Sequence, residues 1–168
     1  MNITFANNPV HLLGDQLKVG DKAPDFTAAK NDLADYKLSE DLGKKVIIIS
    51  VVPSIDTGVC SMQTQRFNKE ASELDESIKL ITISLDLPFA QGRFCGANGI
   101  DNHELVSDYK EREFGQKYGY LIDELKLLAR GVVIIDKEGK IAYKEVVQEV
   151  TNEVDFDTAL EEAKKLVK

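Results

Sequence analysis

The chain has 168 residues, 43% hydrophobic and 30% charged. That is enough to bury a full core without staples, and it excludes both a disordered chain and a disulfide-held mini-protein. With 29 acidic and 21 basic side chains the formal charge is -8, and no long Lys/Arg cluster offers a basic face. Nucleic acid and anionic membrane are therefore not expected as partners. No stretch is long and apolar enough for a membrane span. The opening MNITFANNPVHLLG lacks the basic lead and apolar core of a secretory signal. Residues 1–168 show no repeat or linker and are expected to form one domain. The expected compartment is the reducing cytoplasm, where two cysteines are either core residues or redox groups.

In chain order, residues 2–13 read as an N-terminal β-hairpin: Ile3-Thr4-Phe5, a turn at Asn7-Asn8-Pro9, then Val10 to Leu13. Short extended pieces follow near Asp21–Thr27 and Tyr36–Leu38, with a turn at Asp41-Leu42-Gly43. Val46 to Val52 is β-branched and apolar on both faces, as a central strand is. Pro53 ends it, and Asp56 or Thr57 caps a helix running to about Leu74. At about 100° per residue, Cys60, Thr64, Phe67, Ala71 and Leu74 lie close to one line on that helix. Ile78 to Ser84 is the next strand. Asp86 and Pro88 read as a helix cap and an early helical position, with Gly96 as the stop after Cys95. A polar stretch reaches Tyr120 and holds a short helix around Glu111 to Tyr118. Val132–Ile135 and Ile141–Val147 form a hairpin through Asp136-Lys137-Glu138-Gly139. The final helix buries Phe156, Leu160, Ala163 and Val167, with Asp155 and Asp157 in its first turn and Lys164 and Lys165 in its last. The order predicts an α/β fold, a central sheet flanked by helices, and it is the order of a thioredoxin-like fold.

The chemistry centres on Cys60, at the start of a helix after a tight loop. Unpaired N–H groups and the helix dipole favour the thiolate there. Moving an ordinary thiol from about 8.5 to about 6 takes roughly 3.4 kcal/mol. The dipole supplies about 1–2 kcal/mol and a charge-assisted hydrogen bond about 1.5–3 kcal/mol, so an arginine is needed. Arg66 lies about 600° further round the same helix and points away. Arg130, just before the strand at Val132, would approach from an adjacent strand. The plain alternative is a small core cysteine. Cys95 likewise reads either as helix-end packing or as a second redox group. His11 and His103 stand without triad partners, and with Cys60 and Cys95 they lack the paired spacing of a metal site. Gly92, Gly96 and Gly99 do not follow a strand as a dinucleotide loop would. No metal or cofactor is expected.

Pro53, Thr57 and Cys60, spaced Pro-x-x-x-Thr-x-x-Cys, resemble the peroxidatic signature of peroxiredoxins. Val19-Gly20-Asp21-Lys22-Ala23-Pro24-Asp25-Phe26 is similar to the family's N-terminal segment, and Arg130 falls where its thiolate-pairing arginine is expected. The opening hairpin and Cys95 resemble the thiol peroxidase (atypical two-cysteine) subfamily. The resemblance covers essentially the whole chain. It implies a thiol-dependent peroxidase acting on hydrogen peroxide and alkyl hydroperoxides, with Cys60 as the nucleophile that becomes a sulfenic acid. It implies that Cys95 resolves that acid as an intramolecular disulfide, that thioredoxin recycles the enzyme, and that the chain is a homodimer. Thr57 would hydrogen-bond thiolate and peroxide, Arg130 would stabilise the developing charge, and Pro53 would limit solvent access.

Three other readings compete. A redox sensor of the same fold would form the disulfide without turnover. A cysteine phosphatase shares the Cys60-to-Arg66 spacing, but Ser61–Gln65 has no glycine and no histidine precedes Cys60. A dithiol oxidoreductase is disfavoured, because there is no Cys-x-x-Cys pair and no proline just before the Val132 strand.

Overall fold

A computed structural model of the chain describes residues 2–101 and 103–167. The chain opens with the hairpin of β1 (Asn2–Phe5) and β2 (Asn8–Leu13), in which Ile3 faces Val10. Its turn lies at Ala6-Asn7 rather than at Asn7-Asn8-Pro9, and both residues adopt left-handed φ values of 51° and 68°. A two-residue hairpin loop asks for such angles. The reason is remote in sequence. The Glu149 carboxylate accepts from the backbone N–H of Ala6 at 3.2 Å and of Asn7 at 2.6 Å, and from the Thr4 hydroxyl at 2.9 Å. These and its bonds from Thr151 hold the Glu149 carboxyl far down, at about 2.

β3 (Thr27–Ala29) and β4 (Asp35–Lys37) pair at one edge and lead into a 3-10 turn at Leu38–Glu40. Next come β5 (Val46–Val51), α1 (Gly58–Ala71), β6 (Ile78–Ser84) and α2 (Pro88–Asn98). β7 (Glu104–Ser107) and α3 (Glu113–Tyr118) fill the stretch that reads as polar, and β8 (Leu121–Ile122) follows it. β9 (Gly131–Ile135), β10 (Ile141–Val146) and α4 (Phe156–Lys165) complete the chain. One seven-stranded sheet has the order β10-β9-β5-β6-β7-β3-β4, and β1, β2 and β8 form a small second sheet. β5 runs parallel to β6, which runs parallel to β7, while β9 pairs with β5 antiparallel.

Alternation along the strands divides the core. Val46 and Ile48 of β5, with Val132 and Ile134 of β9, pack against Phe67 of α1 and Phe156, Ala159 and Leu160 of α4. Ile47, Ile49 and Val51 face the other way, toward Phe26, Phe114, Tyr118 and Tyr120. A third cluster, Val52, Ile55, Cys60, Ile100 and Leu105, closes the end of the sheet where β5 gives way to α1. No helix among the described residues is long and apolar enough to cross a membrane.

α1 stops at Ala71, short of the Leu74 that the sequence suggests, and both ends of α2 differ from the sequence reading as well. α2 runs through Gly96 to Asn98 and stops at Gly99, which takes the left-handed φ of 63° while its N–H bonds the Cys95 carbonyl. Gly96 stays helical because Gly99 supplies the terminating conformation. At the other end the N-cap is Leu87, and Asp86 makes no cap bond. Its carboxylate turns back toward the loop before α1.

Candidate functional site

The end of β5 delivers the chain to the site. Pro53, buried, follows the last strand residues and cannot extend the ladder. The next residues turn until Thr57 takes extended angles (φ -92°, ψ 150°) and caps α1, its hydroxyl oxygen accepting from the Cys60 N–H at 3.3 Å. The Thr57 hydroxyl donates to the Ser54 carbonyl at 3.3 Å. In this geometry Thr57 therefore bonds the backbone of Cys60 rather than its sulfur. Cys60 is the third residue of α1, fully buried, and a free thiol.

Arg130 arrives from β9. The antiparallel register sets Gly131 opposite Val51, so the residue before Gly131 lies beside the start of the Cys60 loop. Gly131 is required there: a Cβ would sit 2.0 Å from the Glu145 carbonyl oxygen and 2.7 Å from the Tyr120 ring. Arg130 as a whole is only 2% exposed. Its Nη2 donates to Cys60 Sγ at 3.0 Å, Nη1 to Gln63 Oε1 at 2.9 Å and Nε to the Val150 carbonyl at 2.7 Å. None of the ion pairs among the described residues involves Arg130. A buried cation needs a compensating charge, and the ionisable group in its hydrogen bonds is the Cys60 thiol.

Gln63 is the functional residue that sequence reasoning missed. It lies one turn beyond Cys60, is 1% exposed, and donates to the Ser50 hydroxyl of β5 at 2.8 Å while holding Arg130. The available signal was an uncharged polar side chain three positions after the cysteine, beside the apolar stripe.

A cavity of about 270 Å³ opens over this constellation, lined among others by Phe5, Pro53, Thr57, Val59, Arg130 and Val150. Phe5 brings the opening hairpin to the site. Pro53, Thr57, Cys60 and Arg130 are thus brought together. Cys95 is not in that group. It stands half-buried in the last turns of α2, and opens on a different cavity of about 330 Å³ with Lys30, Asn31, His103 and Glu104. The two thiols border one apolar cluster, in which Cys60 is buried and against which Phe94 and Cys95 pack. Burial pushes the Cys95 thiol above its ordinary value, opposed by the Asn31 amide, whose nitrogen is 3.9 Å from Sγ.

The remaining candidates lie elsewhere. Arg66 pairs with Asp157 at 3.1 Å and stacks over Phe156, on a continuous helix, so it builds no phosphate loop with Cys60. His11 pairs with Glu124 at the surface. His103 is held between Thr82 (2.9 Å) and Asn68 (3.3 Å), and burial pushes it down to about 4. Among the described residues no group of three or more His, Cys, Asp or Glu side chains is placed to hold a metal ion.

The family model described as Redoxin matches residues 18–160. The chain belongs to the redoxin family. A protein named thiol peroxidase from Oceanobacillus iheyensis is 56% identical over 164 residues, covering 98% of this chain and 99% of the relative. Another of that name, from Bacillus subtilis, is 53% identical over 166 residues, covering 99% and 98%. Among solved structures, a peroxiredoxin-like protein from Aquifex aeolicus superposes with a TM-score of 0.91 at 40% identity, covering 98% of this chain and 96% of that one. The architecture is the thioredoxin-like α/β fold of peroxiredoxins, with the hairpin β1–β2 added at the N-terminus.

Proposed function

We propose that this thiol-dependent peroxidase reduces hydrogen peroxide and alkyl hydroperoxides through Cys60. The thiolate attacks one peroxide oxygen, the O–O bond breaks, and the departing oxygen takes a proton and leaves as water or alcohol, with Cys60 now a sulfenic acid. Arg130 holds the thiolate and meets charge developing on the departing oxygen. Thr57 sets the first turn of α1 and lines the cavity, and its hydroxyl turns from the Ser54 carbonyl to donate to bound peroxide. Pro53 and the apolar wall with Phe5 and Val150 exclude water. Cys95 then attacks the sulfenic sulfur, forming a disulfide and releasing water, and thioredoxin reduces that disulfide. We take residues 1–168 as one domain, acting as a homodimer in the cytoplasm.

The observation that carries this reading is the 3.0 Å hydrogen bond from the buried Arg130 guanidinium to Cys60 Sγ. It is tested by following NADPH oxidation with thioredoxin, thioredoxin reductase and a hydroperoxide. The wild type should turn over and Cys60→Ser should be silent, because a serine hydroxyl does not supply the anion. Turnover retained in Cys60→Ser would remove Cys60 as the nucleophile.

A further inference from the structure

Asp86 stands between β6 and α2, and its carboxylate ties the loop before Cys60 to the end of β6. Oδ1 accepts from the Ser54 hydroxyl at 2.7 Å. Oδ2 accepts from the Ile55 backbone N–H at 2.9 Å and from the Ser84 hydroxyl at 2.7 Å. The Asp86 carbonyl accepts from the Ser107 hydroxyl, and Gln91 of α2 donates to the Ser84 hydroxyl at 3.0 Å. The carboxylate therefore joins the loop that leads into Cys60 to the end of β6, and the Ser84 hydroxyl, which also accepts from Gln91, links it on to the first turns of the helix carrying Cys95. Asp86 touches neither thiol.

Its position matters because the two sulfurs are not joined in this structure and lie in different surroundings. Cys60 is fully buried against Arg130, whereas Cys95 opens on a separate cavity. A disulfide brings two sulfurs to about 2.05 Å with fixed torsions. Cys60 must leave Arg130, so the first turn of α1 has to unwind and carry the 53–57 loop with it. Ile55, whose N–H Asp86 holds, is buried in the same cluster as Cys60, with Phe94 and Cys95 packed against it. Moving the loop draws Ile55 out and breaks both Asp86 bonds to it.

We propose that Asp86 is a positioning residue that latches the Cys60 loop, and so sets how the Cys60 sulfenic acid partitions between disulfide and over-oxidation. The proposal rests on the roles given above to Cys60 and Cys95. In the first branch the Cys95 sulfur attacks the sulfenic sulfur: the S–S bond forms, the S–O bond breaks, and the hydroxyl leaves with the thiol proton as water. In the second, another peroxide transfers one oxygen to the sulfenic sulfur, giving sulfinic acid and water or alcohol. A closed latch favours the second branch by holding the sulfenic acid at Arg130.

The test mixes reduced, full-length protein with a concentration series of hydrogen peroxide, quenches with a thiol-alkylating agent, and reads intact mass. Disulfide is a loss of two hydrogens and sulfinic acid a gain of two oxygens. The readout is the peroxide concentration at which half of the chains become sulfinic. Asp86→Ala should raise it by about tenfold, the factor expected from a lost hydrogen bond to a charged group. Ser54→Ala, which removes one strut, should raise it several-fold and carries the test should Asp86→Ala fail to fold. Asp86→Asn keeps the shape and most of the bonds, because the Ser54 hydroxyl turns to accept, and should stay within about twofold of wild type. The latch is overturned if the foldable alanine variants leave the half-sulfinic concentration unchanged or lower it, even with reduced melting temperatures. It is overturned equally if Asp86→Asn behaves like alanine. A wild type that never loses two hydrogens removes the Cys60–Cys95 reading and the latch with it, whereas an intact wild-type disulfide with unmoved variants removes the latch alone.

Discussion

Arg130 reaches Cys60 across 70 positions of sequence, and its three hydrogen bonds fix the guanidinium on Cys60 Sγ, Gln63 Oε1 and the Val150 carbonyl at once. The planar fork matters as much as the charge. The acceptors come from two pieces of chain: α1 supplies two on successive turns, and the segment after β10 supplies the third. The cation is thereby aimed before any peroxide arrives, so no reorganisation is spent at the moment of reaction.

Arg130→Lys keeps the charge but cannot satisfy all three acceptors, since an ammonium lacks the rigid fork. Both Arg130→Lys and Arg130→Ala should lower the second-order rate of Cys60 with peroxide, by about 10²–10³-fold for alanine, where a preorganised donor to the developing charge is lost. Stopped-flow measurement of peroxide reduction under single-turnover conditions reads this directly. A lysine variant as fast as wild type would show that charge alone suffices.

Gln63→Leu conserves volume roughly but strands a buried guanidinium N–H and leaves the Ser50 hydroxyl without its donor. The cost should be about 1–3 kcal/mol in folding free energy, read by urea denaturation. A fall of about tenfold in the peroxide rate should accompany it, as Arg130 loses one of its anchors. If stability falls while the rate is untouched, the Val150 carbonyl alone positions Arg130.

Two buried groups give the protein opposing acid responses. His103 titrates at about 4 in the folded chain against an ordinary 6.5, because burial penalises its charged form. Between those values the unfolded chain binds the extra proton, so stability is lost as pH falls from about 6.5 to about 4. Asp108 is pushed up to about 6 from 3.8, again chiefly by burial, against the pull of the Gly115 and Phe114 N–H groups that it accepts from. Here the folded chain binds the proton first, so stability is gained as pH falls from about 6 to about 4. The two act in opposite directions in wild type. Asp108→Asn should expose the histidine's loss, so that its melting temperature drops more steeply between pH 6.5 and 4 than that of wild type. Parallel profiles for the two proteins would contradict the Asp108 environment.

The central strand, the cysteine helix and the closing hairpin were legible because each is local. Val46–Val51 is apolar on both faces, Thr57 caps within reach of Cys60, and the β9–β10 turn has its glycine at Gly139. What escaped depends on partners far along the chain. β7 has only Leu105 and Val106 as an apolar signal, and becomes a strand because β6 offers it an open parallel edge. The hairpin turn moves to Ala6-Asn7 because Glu149 binds those two N–H groups. Asp86 looks like a helix cap until the Ser54 loop is placed opposite it, and Gln63 looks like one more surface glutamine until Arg130 arrives. Cys60 and Arg130 could be singled out by chemistry, but no local pattern announces a residue whose task is to hold another.

The most direct measurement is intact mass after one equivalent of hydroperoxide, made in parallel on wild type, Cys60→Ser and Cys95→Ser. Wild type should lose two hydrogens as Cys60 and Cys95 join. Cys95→Ser should gain one oxygen, because attack needs Cys60 alone and the sulfenic acid then has no internal thiol to meet. Cys60→Ser should show no change in mass. An oxygen gained by Cys60→Ser at the wild-type rate, or a Cys95→Ser variant that turns over with thioredoxin as wild type does, would contradict the account of how these two cysteines divide the reaction.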